Sequence, residues 1–324
     1  MTPPPGTETI AGMASATAGE RPGPAERGER AVRAATSAAR RLGLRPGEPR
    51  VLHDVFNVLV HLDPEPVVVR VPSLTFATAA EQAERQRREL DVVRWLAGQG
   101  APVVRPSPLV PPEPVESEGR SLTFWEYVEE RDPVRDVPAE EWETRFAEQT
   151  GWTAPLHALL ARYPGPLPTL SPLVPGARAA LDELARRPGD LTPDDLDRAE
   201  REYAALEALL PELPVRFPGT RPQPLHGDAP AYNVLRTAGG HLFADFEDVT
   251  RGPVEWDLAG CGPRGVEAYL RAGGTPVDSR LLDTMERARL FQAVAALAYA
   301  PLMPELAGLL EPLVRQWRDR PPLG

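Results

Sequence analysis

The sequence predicts an α+β protein of two lobes, a small lobe built on an antiparallel β-sheet and a larger, mainly helical lobe. The chain has 324 residues, enough for about two domains at roughly 150 residues each. Strand-like segments lie mostly in the first third of the chain, and helical periodicity dominates the rest apart from one hairpin. We expect a lead-in tail at 1–45, the small lobe at 46–126, the larger lobe at 127–318 and a short tail at 319–324.

The small lobe is expected to contain a β-hairpin, a helix and a further strand. Val51–Leu62 and Val67–Val71 are rich in β-branched residues and flank a turn of acidic residues and prolines, which predicts paired strands. Ser121–Val128 predicts the further strand. Because side chains alternate across a strand, Arg70 shares a face with Val68 and not with the other valines. A charged residue within a strand of valines needs an explanation.

The helix between these strands has a marked start and an unusual inward-facing residue. Thr78 and Glu81 have the spacing of a capping box, in which each side chain accepts a hydrogen bond from the other's backbone N–H. Glu89 lies on the same helical stripe as Val93 and Leu96. We therefore expect the carboxylate of Glu89 to point into the protein.

The larger lobe is predicted to be helical on both sides of one hairpin. Helical patterns cover 135–215 and 256–318. Thr192, followed by proline and two aspartates, is the expected N-cap of one helix. Proline accounts for 40 residues and interrupts helices, so many short elements are expected.

The hairpin places two polar residues side by side. Its strands are predicted at Asn233–Arg236 and His241–Phe246, joined by the four-residue loop Thr237–Gly240. Pairing around that loop puts Asn233 and Asp245 at the open end of the hairpin. Strand-pair geometry brings them within about 5–8 Å of each other.

Composition argues against several classes of protein. Asp and Glu (47) outnumber Lys and Arg (36), and this net charge of −11 disfavours nucleic-acid binding. The single cysteine excludes an internal disulfide and a cysteine-cluster metal site. There is no apolar run long enough for a membrane helix. Residues 1–30 lack the apolar segment of a signal peptide and are predicted to be disordered, so we expect a cytoplasmic protein.

The most informative stretch is His226-Gly227-Asp228, followed by four residues and Asn233, with Asp245 on the next strand. A loop carboxylate can orient an acceptor hydroxyl and take its proton. Asparagine and aspartate oxygens are the hard ligands that Mg²⁺ prefers. Each residue alone is equally typical of a turn or a helix cap. However, the chain has only two asparagines, and one of them falls at this spacing.

This pattern resembles the phosphoryl-transfer core of the aminoglycoside phosphotransferase family, whose fold is protein-kinase-like. The resemblance covers about residues 45–315. It implies that the γ-phosphoryl group of ATP or GTP, bound with Mg²⁺, is transferred to a hydroxyl of a small molecule. The implied roles are catalysis by Asp228, metal binding by Asn233 and Asp245, and structural support of the loop by His226 and Asp257.

The resemblance also implies a nucleotide site in the small lobe. Arg70 occupies the strand position where family members carry a lysine, and Glu89 would be its partner, with Glu81 and Glu84 of the same helix as the alternatives. This departs from the family, because arginine keeps the charge but is planar and longer, and the chain has no lysine. An edge-strand arginine facing water is the alternative. The phosphate-covering turn at Asn57 lacks glycine, and Asn57 would either donate to a phosphate or only shape the turn. Backbone groups near Glu126 and Val128 would bond adenine, and an ordinary strand that ends in a linker is the alternative.

The expected acceptor side is acidic. Residues 126–148 hold nine acids and three arginines, and the resemblance places this segment beside the acceptor cleft. Glu247 and Asp248 are further candidates for the acceptor side, or else solvated acids. An acidic cleft would concentrate a cationic acceptor, whereas a solvated acidic helix face is the alternative.

Two other functions fit the same residues. A kinase of this fold could act on peptide serine or threonine in a natural-product maturation pathway, and a phosphopeptide product would identify it. The Arg70 departure and the glycine-free turn would also fit a non-catalytic, nucleotide-binding pseudokinase. The intact set of Asp228, Asn233 and Asp245 favours catalysis. We expect a nucleotide and a small-molecule hydroxyl acceptor as partners, and neither nucleic acid nor a membrane.

Overall fold

A computed structural model of the chain describes residues 23–133 and 137–324, and its two sets of elements confirm the predicted α+β class. The smaller lobe contains α1 (Pro24–Arg41), β1 (Arg50–Asp54), β2 (Asn57–His61), β3 (Val67–Pro72), α2 (Ala79–Gly98), β4 (Val115–Ser117) and β5 (Arg120–Glu126). The larger lobe contains α3 (Ala139–Leu160), α4 (Arg178–Arg186), α5 (Pro193–Arg216), β6 (Gln223–Leu225), β7 (Val234–Thr237), β8 (Gly240–Phe243), β9 (Thr250–Gly252), α6 (Glu255–Leu258), α7 (Gly262–Arg271), α8 (Ser279–Ala296) and α9 (Glu305–Asp319), with 3₁₀ turns at Pro230–Tyr232 and Leu297–Tyr299.

The smaller lobe is a five-stranded antiparallel sheet between two helices. The strand order is β1-β2-β3-β5-β4. Val67, Val69 and Val71 pack with the buried alanines of α1 on one side of the sheet. Helix α2 lies on the other side, where Gln86 donates to the Ser121 carbonyl (2.8 Å). The alternation of β3 therefore directs Arg70 towards α2.

Helix α1 corrects the prediction of a disordered lead-in. Residues 24–30, within the segment predicted to be disordered, are helical, whereas residues 1–22 lie outside the described residues. Five alanines of α1 are buried against the sheet. Small side chains on one helical stripe allow a close approach to the valines of the sheet, and this packing adds to the helix propensity of a segment rich in alanine and arginine.

Three strand predictions need correction. Val51–Leu62 forms two strands, β1 and β2, because the chain turns at Phe56, whose carbonyl accepts hydrogen bonds from Ser73 N and Leu74 N (both 3.1 Å). Strand β4 was not predicted, since it is three residues long and follows a proline-rich segment. The β7–β8 hairpin has a two-residue turn, because Thr237 pairs with Gly240 within the ladder, and β8 ends at Phe243, so Asp245 follows the strand and does not lie on it.

The helix starts follow the sequence closely. Thr78 and Glu81 form the predicted capping box of α2. Thr192 begins α5, and its hydroxyl accepts from Asp195 N in the same arrangement. None of the helices in the described ranges combines the length and apolarity that a bilayer crossing requires.

The two lobes also meet at an aromatic contact away from the linker that follows β5. Tyr299 stacks on Phe76 (ring centroids 4.5 Å apart) and lies edge-on to Phe56 (5.8 Å). Leu74 packs beside it against Met303 of the larger lobe. We call this cluster the Tyr299 contact. It joins the β1–β2 turn to the segment between α8 and α9.

Candidate active site

The loop after β6 requires glycine at its centre. Gly227 has a φ of +95°, in the left-handed region that other residues rarely adopt. A Cβ atom at this position would overlap the backbone carbonyl of Asp248. The close approach of these two segments brings Asp228, the next residue, beside the loop that follows β8.

Asp257 of α6 anchors this loop from below. Its carboxylate accepts hydrogen bonds from His226 N (2.9 Å), Gly227 N (3.0 Å) and the His157 ring (3.0 Å). Trp256 Nε1 donates to the Gly227 carbonyl (2.7 Å). Burial alone would raise the pKa of Asp257, but the hydrogen bond and charge of His157 outweigh it and lower that pKa. The loop backbone is therefore bound on both its donor and acceptor sides.

Asn233 joins the loop to the hairpin. Its Nδ2 donates to the Asp228 carbonyl (2.7 Å) and to Asp228 Oδ2 (3.2 Å), which leaves Oδ1 as the atom available for a metal. Its carbonyl accepts from Ala244 N (2.9 Å), and the His226 ring donates to the Ala244 carbonyl (2.9 Å). These bonds hold Asp228, Asn233 and the segment leading to Asp245 together.

Asp245 has an uncommon backbone conformation and a crowded electrostatic environment. Its φ of +59° lies in the left-handed region, and such outliers are frequent at functional sites. Its Oδ1 accepts from Arg70 Nη1 (2.7 Å). Burial and the nearby charge of Glu247, followed by Glu89 and Asp228, raise the pKa of Asp245 well above its ordinary value despite Arg70. A bound cation would relieve this crowding of negative charge.

Arg70 and Glu89 form a buried, bidentate ion pair between β3 and α2. Both side chains are almost fully buried, and Nη1 and Nη2 of Arg70 each bond one oxygen of Glu89. Burial opposes the charge of Arg70, but Glu89, Glu247 and Asp245 outweigh it and raise the pKa of the guanidinium. The alternative of an edge-strand arginine facing water is wrong, because β3 lies between β2 and β5.

Glu247 and Asp248 face the smaller lobe. Asn57 Nδ2 donates to both carboxylate oxygens of Glu247 (3.3 Å each). Asp248 pairs with Arg85 of α2 (3.2 Å). Burial, with Glu247 and Asp228 nearby, raises the pKa of Asp248 to about 7 against the pull of Arg85. Their contacts thus differ from the acceptor-side position that the sequence predicts.

The linker after β5 uses two of its backbone N–H groups within the protein. Glu126 N donates to the Arg105 carbonyl (2.9 Å) and Tyr127 N to the Pro66 carbonyl (2.9 Å). The side chain of Val128 packs on the apolar cluster beneath the linker. Any bond from Glu126 to a base would therefore use its carbonyl.

Two arginines at the site were missed from the sequence. Arg85 lies one helical turn before Glu89 on α2, so its position on the same stripe was a usable signal. Arg289 of α8 lies 3.6 Å from Asp228 Oδ1, and nothing in the local sequence indicates that contact. Together with Arg70 they supply the positive charge around the acids.

The oxygens around the hairpin mouth fit Mg²⁺. Asn233 Oδ1 and the Asp245 carboxylate are hard donors, and the acids nearby favour a cation. Among the side chains of the described residues, no group of three or more His, Cys, Asp or Glu is arranged to hold a metal. Magnesium commonly takes one or two carboxylates and completes its shell with phosphate oxygens and water, so this donor set suits an ion that arrives with a nucleotide.

Part of the acidic segment is already neutralised. Within 126–148, Glu148 pairs with Arg236 and Glu143 with Arg264 (3.0 Å). Asp132 and Glu141 line an open depression of about 780 Å³ beside the start of α3. The free negative charge is therefore smaller than the composition of the segment indicates.

The fold is that of the protein-kinase-like phosphotransferases. The structure matches an amicoumacin kinase (TM-score 0.61, 15% identity, 86% of this chain and 90% of that one) solved with AMP-PNP and Ca²⁺. It also matches a choline kinase from Streptococcus pneumoniae (0.57, 14%, 88% and 98%) and a type VIII aminoglycoside-3'-phosphotransferase (0.56, 23%, 84% and 99%). No protein with a curated description matches the chain.

The model of the phosphotransferase enzyme family, APH, matches residues 50–302. The chain belongs to this family and is a phosphotransferase. The resemblance drawn from the catalytic-loop motif and the predicted kinase-like fold are both confirmed.

Proposed function

We propose that the protein transfers the γ-phosphoryl group of ATP or GTP, in the presence of Mg²⁺, to a hydroxyl of a small molecule. One observation carries most of the support. Arg70, bound to Glu89 in the smaller lobe, is 2.7 Å from Asp245 in the larger lobe, beside the hydrogen-bonded pair of Asp228 and Asn233. Phosphoryl transfer needs such a meeting of charges, since catalysis there is mostly positioning and charge neutralisation.

Asp228 is the residue that orients the acceptor. Its side chain is half exposed, so an acceptor hydroxyl can reach it. As the acceptor oxygen bonds to the γ-phosphorus, the bond from that phosphorus to the β-phosphate oxygen breaks, and the hydroxyl proton passes to the Asp228 carboxylate. ADP or GDP is the leaving group.

Asn233 and Asp245 would hold the metal. When bound, Mg²⁺ neutralises phosphate charge as the leaving group departs. Asn233 uses its amide N–H to hold Asp228, so one side chain can link the acceptor-orienting group to the metal position. Asp245 projects from the opposite arm of the hairpin mouth.

Arg70 and Glu89 would position the phosphates. The guanidinium already has three carboxylates close by, those of Glu89, Asp245 and Glu247. A triphosphate–metal complex would displace Asp245 from Arg70 Nη1 and substitute a phosphate oxygen, which also makes a charge-assisted hydrogen bond with arginine. Glu89 would remain as the permanent partner, because it is fully buried.

The acceptor is proposed to be a small polar molecule, with a cationic one favoured by Asp132 and Glu141 in the depression beside α3. The structural neighbours support this class, since their names describe kinases of amicoumacin, choline and aminoglycosides. A neutral sugar or another natural-product intermediate belongs to the same class of hydroxyl acceptor.

The test is ADP or GDP release across panels of aminoglycosides, amino alcohols, sugars and nucleosides, each run with wild type and with Asp228→Asn. The proposal expects at least one acceptor to stimulate release by wild type and not by the variant. Release stimulated only by peptides, with phosphoserine or phosphothreonine in the product, would instead indicate a peptide kinase. Nucleotide binding without release on any acceptor would indicate a pseudokinase.

A further inference from the structure

Arg289 of α8 is a largely buried arginine that contacts the loop carrying Asp228, Trp256 of α6 and one residue of its own helix. Its Nη2 donates to the carbonyls of Gly227 (3.0 Å) and Trp256 (3.4 Å), and its Nη1 donates to Gln292 Oε1 (3.0 Å). The guanidinium carbon lies 3.6 Å from the centroid of the Trp256 ring. A cation removed from water is expensive unless it is partnered, so this position is maintained by specific contacts.

The same guanidinium faces Asp228. Arg289 Nη1 is 3.6 Å from Asp228 Oδ1, while Asn233 Nδ2 is 3.2 Å from Asp228 Oδ2. The two oxygens of one carboxylate are therefore approached from two sides by two different elements, α8 and the hairpin. Rotation of the Asp228 side chain would weaken one contact or the other.

We infer that Arg289 is a positioning residue that holds the carboxylate and backbone of Asp228 in the orientation needed to accept the acceptor proton. The inference rests on the proposed function. Through Gly227 it fixes the peptide unit before Asp228, and through Nη1 it fixes the carboxylate itself. Gln292, one helical turn further along α8, keeps Nη1 in place.

A purely structural role is the competing explanation, because a buried arginine bound to two carbonyls also stabilises the fold. Arg287 provides a matched control on the same helix. It too is largely buried with an unpartnered Nε, but it pairs with Asp283 (3.0 Å) and donates to the Pro322 carbonyl (3.1 Å), away from the loop. Loss of Arg287 should affect stability without affecting turnover.

The experiment compares wild type, Arg289→Ala, Arg289→Lys and Arg287→Ala as full-length proteins. Thermal unfolding, ATP·Mg affinity, and kcat and KM for ADP release are measured with the best acceptor of the screen. We expect Arg289→Ala to lower kcat about 100-fold, the loss that a displacement of about 1 Å can cause, while the KM for ATP changes little. Millimolar guanidinium should restore part of kcat in Arg289→Ala only.

Equal kcat in Arg289→Ala and Arg287→Ala would overturn the inference, as would a loss explained by the unfolded fraction and not rescued by guanidinium. If Arg289→Ala does not fold, Gln292→Met is the substitute variant, with a smaller fall in kcat expected and an unchanged kcat contradicting the inference.

A wild-type protein that binds ATP but phosphorylates nothing would refute the proposed function separately. In that case a crystal structure of the Arg289→Ala variant tests whether Arg289 positions Asp228. A displaced Asp228 carboxylate supports the positioning role, and an unmoved one rejects it.

Discussion

Each lobe has one buried arginine at the site, and the two are held in different ways. Arg70 of the smaller lobe is surrounded by three carboxylates, two of which, Asp245 and Glu247, belong to the other lobe. Arg289 of the larger lobe is bound mainly by neutral groups, two backbone carbonyls and the face of Trp256, all within its own lobe. The first set of contacts crosses the cleft, and the second does not.

This difference separates exchangeable contacts from permanent ones. Charge pairs between lobes can be replaced by a charged ligand, because phosphate competes with carboxylate for the same guanidinium. Carbonyl and ring contacts inside one lobe have no such competitor. We therefore interpret the contacts of Arg70 with Asp245 and Glu247 as the part of the site that responds to ligand. The contacts of Arg289 and Asp257 with the loop after β6 are the part that fixes the position of Asp228.

The largest effect is expected at Asp228, whose side-chain partners Asn233 and Arg289 both belong to the larger lobe. Asp228→Asn should lower kcat by about 10²–10⁴-fold, the usual contribution of a general base, while ATP·Mg affinity changes little. Single-turnover kinetics with calorimetry of nucleotide binding would measure both. A large loss of affinity would mean that the larger lobe also controls nucleotide binding, and the separation of roles would fail.

Breaking the Arg70 pair should mainly destabilise the smaller lobe. Arg70→Met leaves the buried Glu89 carboxylate unpaired, and such a change costs about 3–5 kcal/mol. The double variant Arg70→Met with Glu89→Leu should recover most of that stability in urea unfolding but not nucleotide affinity. If the double variant binds nucleotide normally, Arg70 is structural only.

A substitution at Asp257 tests the contacts that hold the loop after β6 in place. Asp257→Asn removes charge-assisted acceptors from His226 N and Gly227 N, with an expected loss of about 1–3 kcal/mol in unfolding free energy. Asp182→Asn, at a surface pair with Arg178, is the control and should change stability by less than about 1 kcal/mol. A similar value for both variants would show that the anchoring of the loop is weak.

The nucleotide-free protein should become less stable as pH rises, because the buried carboxyl of Asp248 then loses its proton. Its pKa is raised to about 7 in the folded chain, against about 3.9 when unfolded. The stability gained from its proton is full below pH 4 and is lost as pH rises through 7. Urea unfolding across pH 4–8 should show wild type losing stability relative to Asp248→Asn. Parallel curves would contradict this.

The smallest effect is expected for the Asn57–Glu247 contact across the cleft. Its hydrogen bonds are long, 3.3 Å each, and partly exposed. Asn57→Ala should lower the free energy of unfolding by about 0.5–1.5 kcal/mol at most. It should also change the KM for ATP without changing kcat. A kcat effect in stopped assays at saturating ATP would place Asn57 with the reacting groups instead.

Much of this arrangement could be predicted from local sequence. The capping boxes, the alternation that buries Arg70 and the strand pairing that brings Asn233 near Asp245 all depend on residues close together in the chain. What failed depends on distant partners. The turn at Phe56 is set by Ser73 and Leu74, and α1 is stabilised by the sheet beneath it.

At the site too, contacts between residues close in the chain could be predicted and contacts between distant residues could not. Asp228, Asn233 and Asp245 lie within one loop and one hairpin, so their spacing was informative. Arg289 reaches Asp228 only because α8 packs under α6, and no periodicity near either residue signals that. The contacts of Glu247 and Asp248 could not be predicted either, because their partners belong to the other lobe.

The Tyr299 contact lies at one end of the boundary between the lobes, and the apolar cluster that joins α2 to α3 and to the β7–β8 hairpin lies elsewhere on it. A lobe held at several places can move away from its neighbour only where some of these contacts separate. The three rings of the Tyr299 contact make no ion pair, so a charged ligand in the cleft would compete with the Arg70 contacts and leave the rings packed.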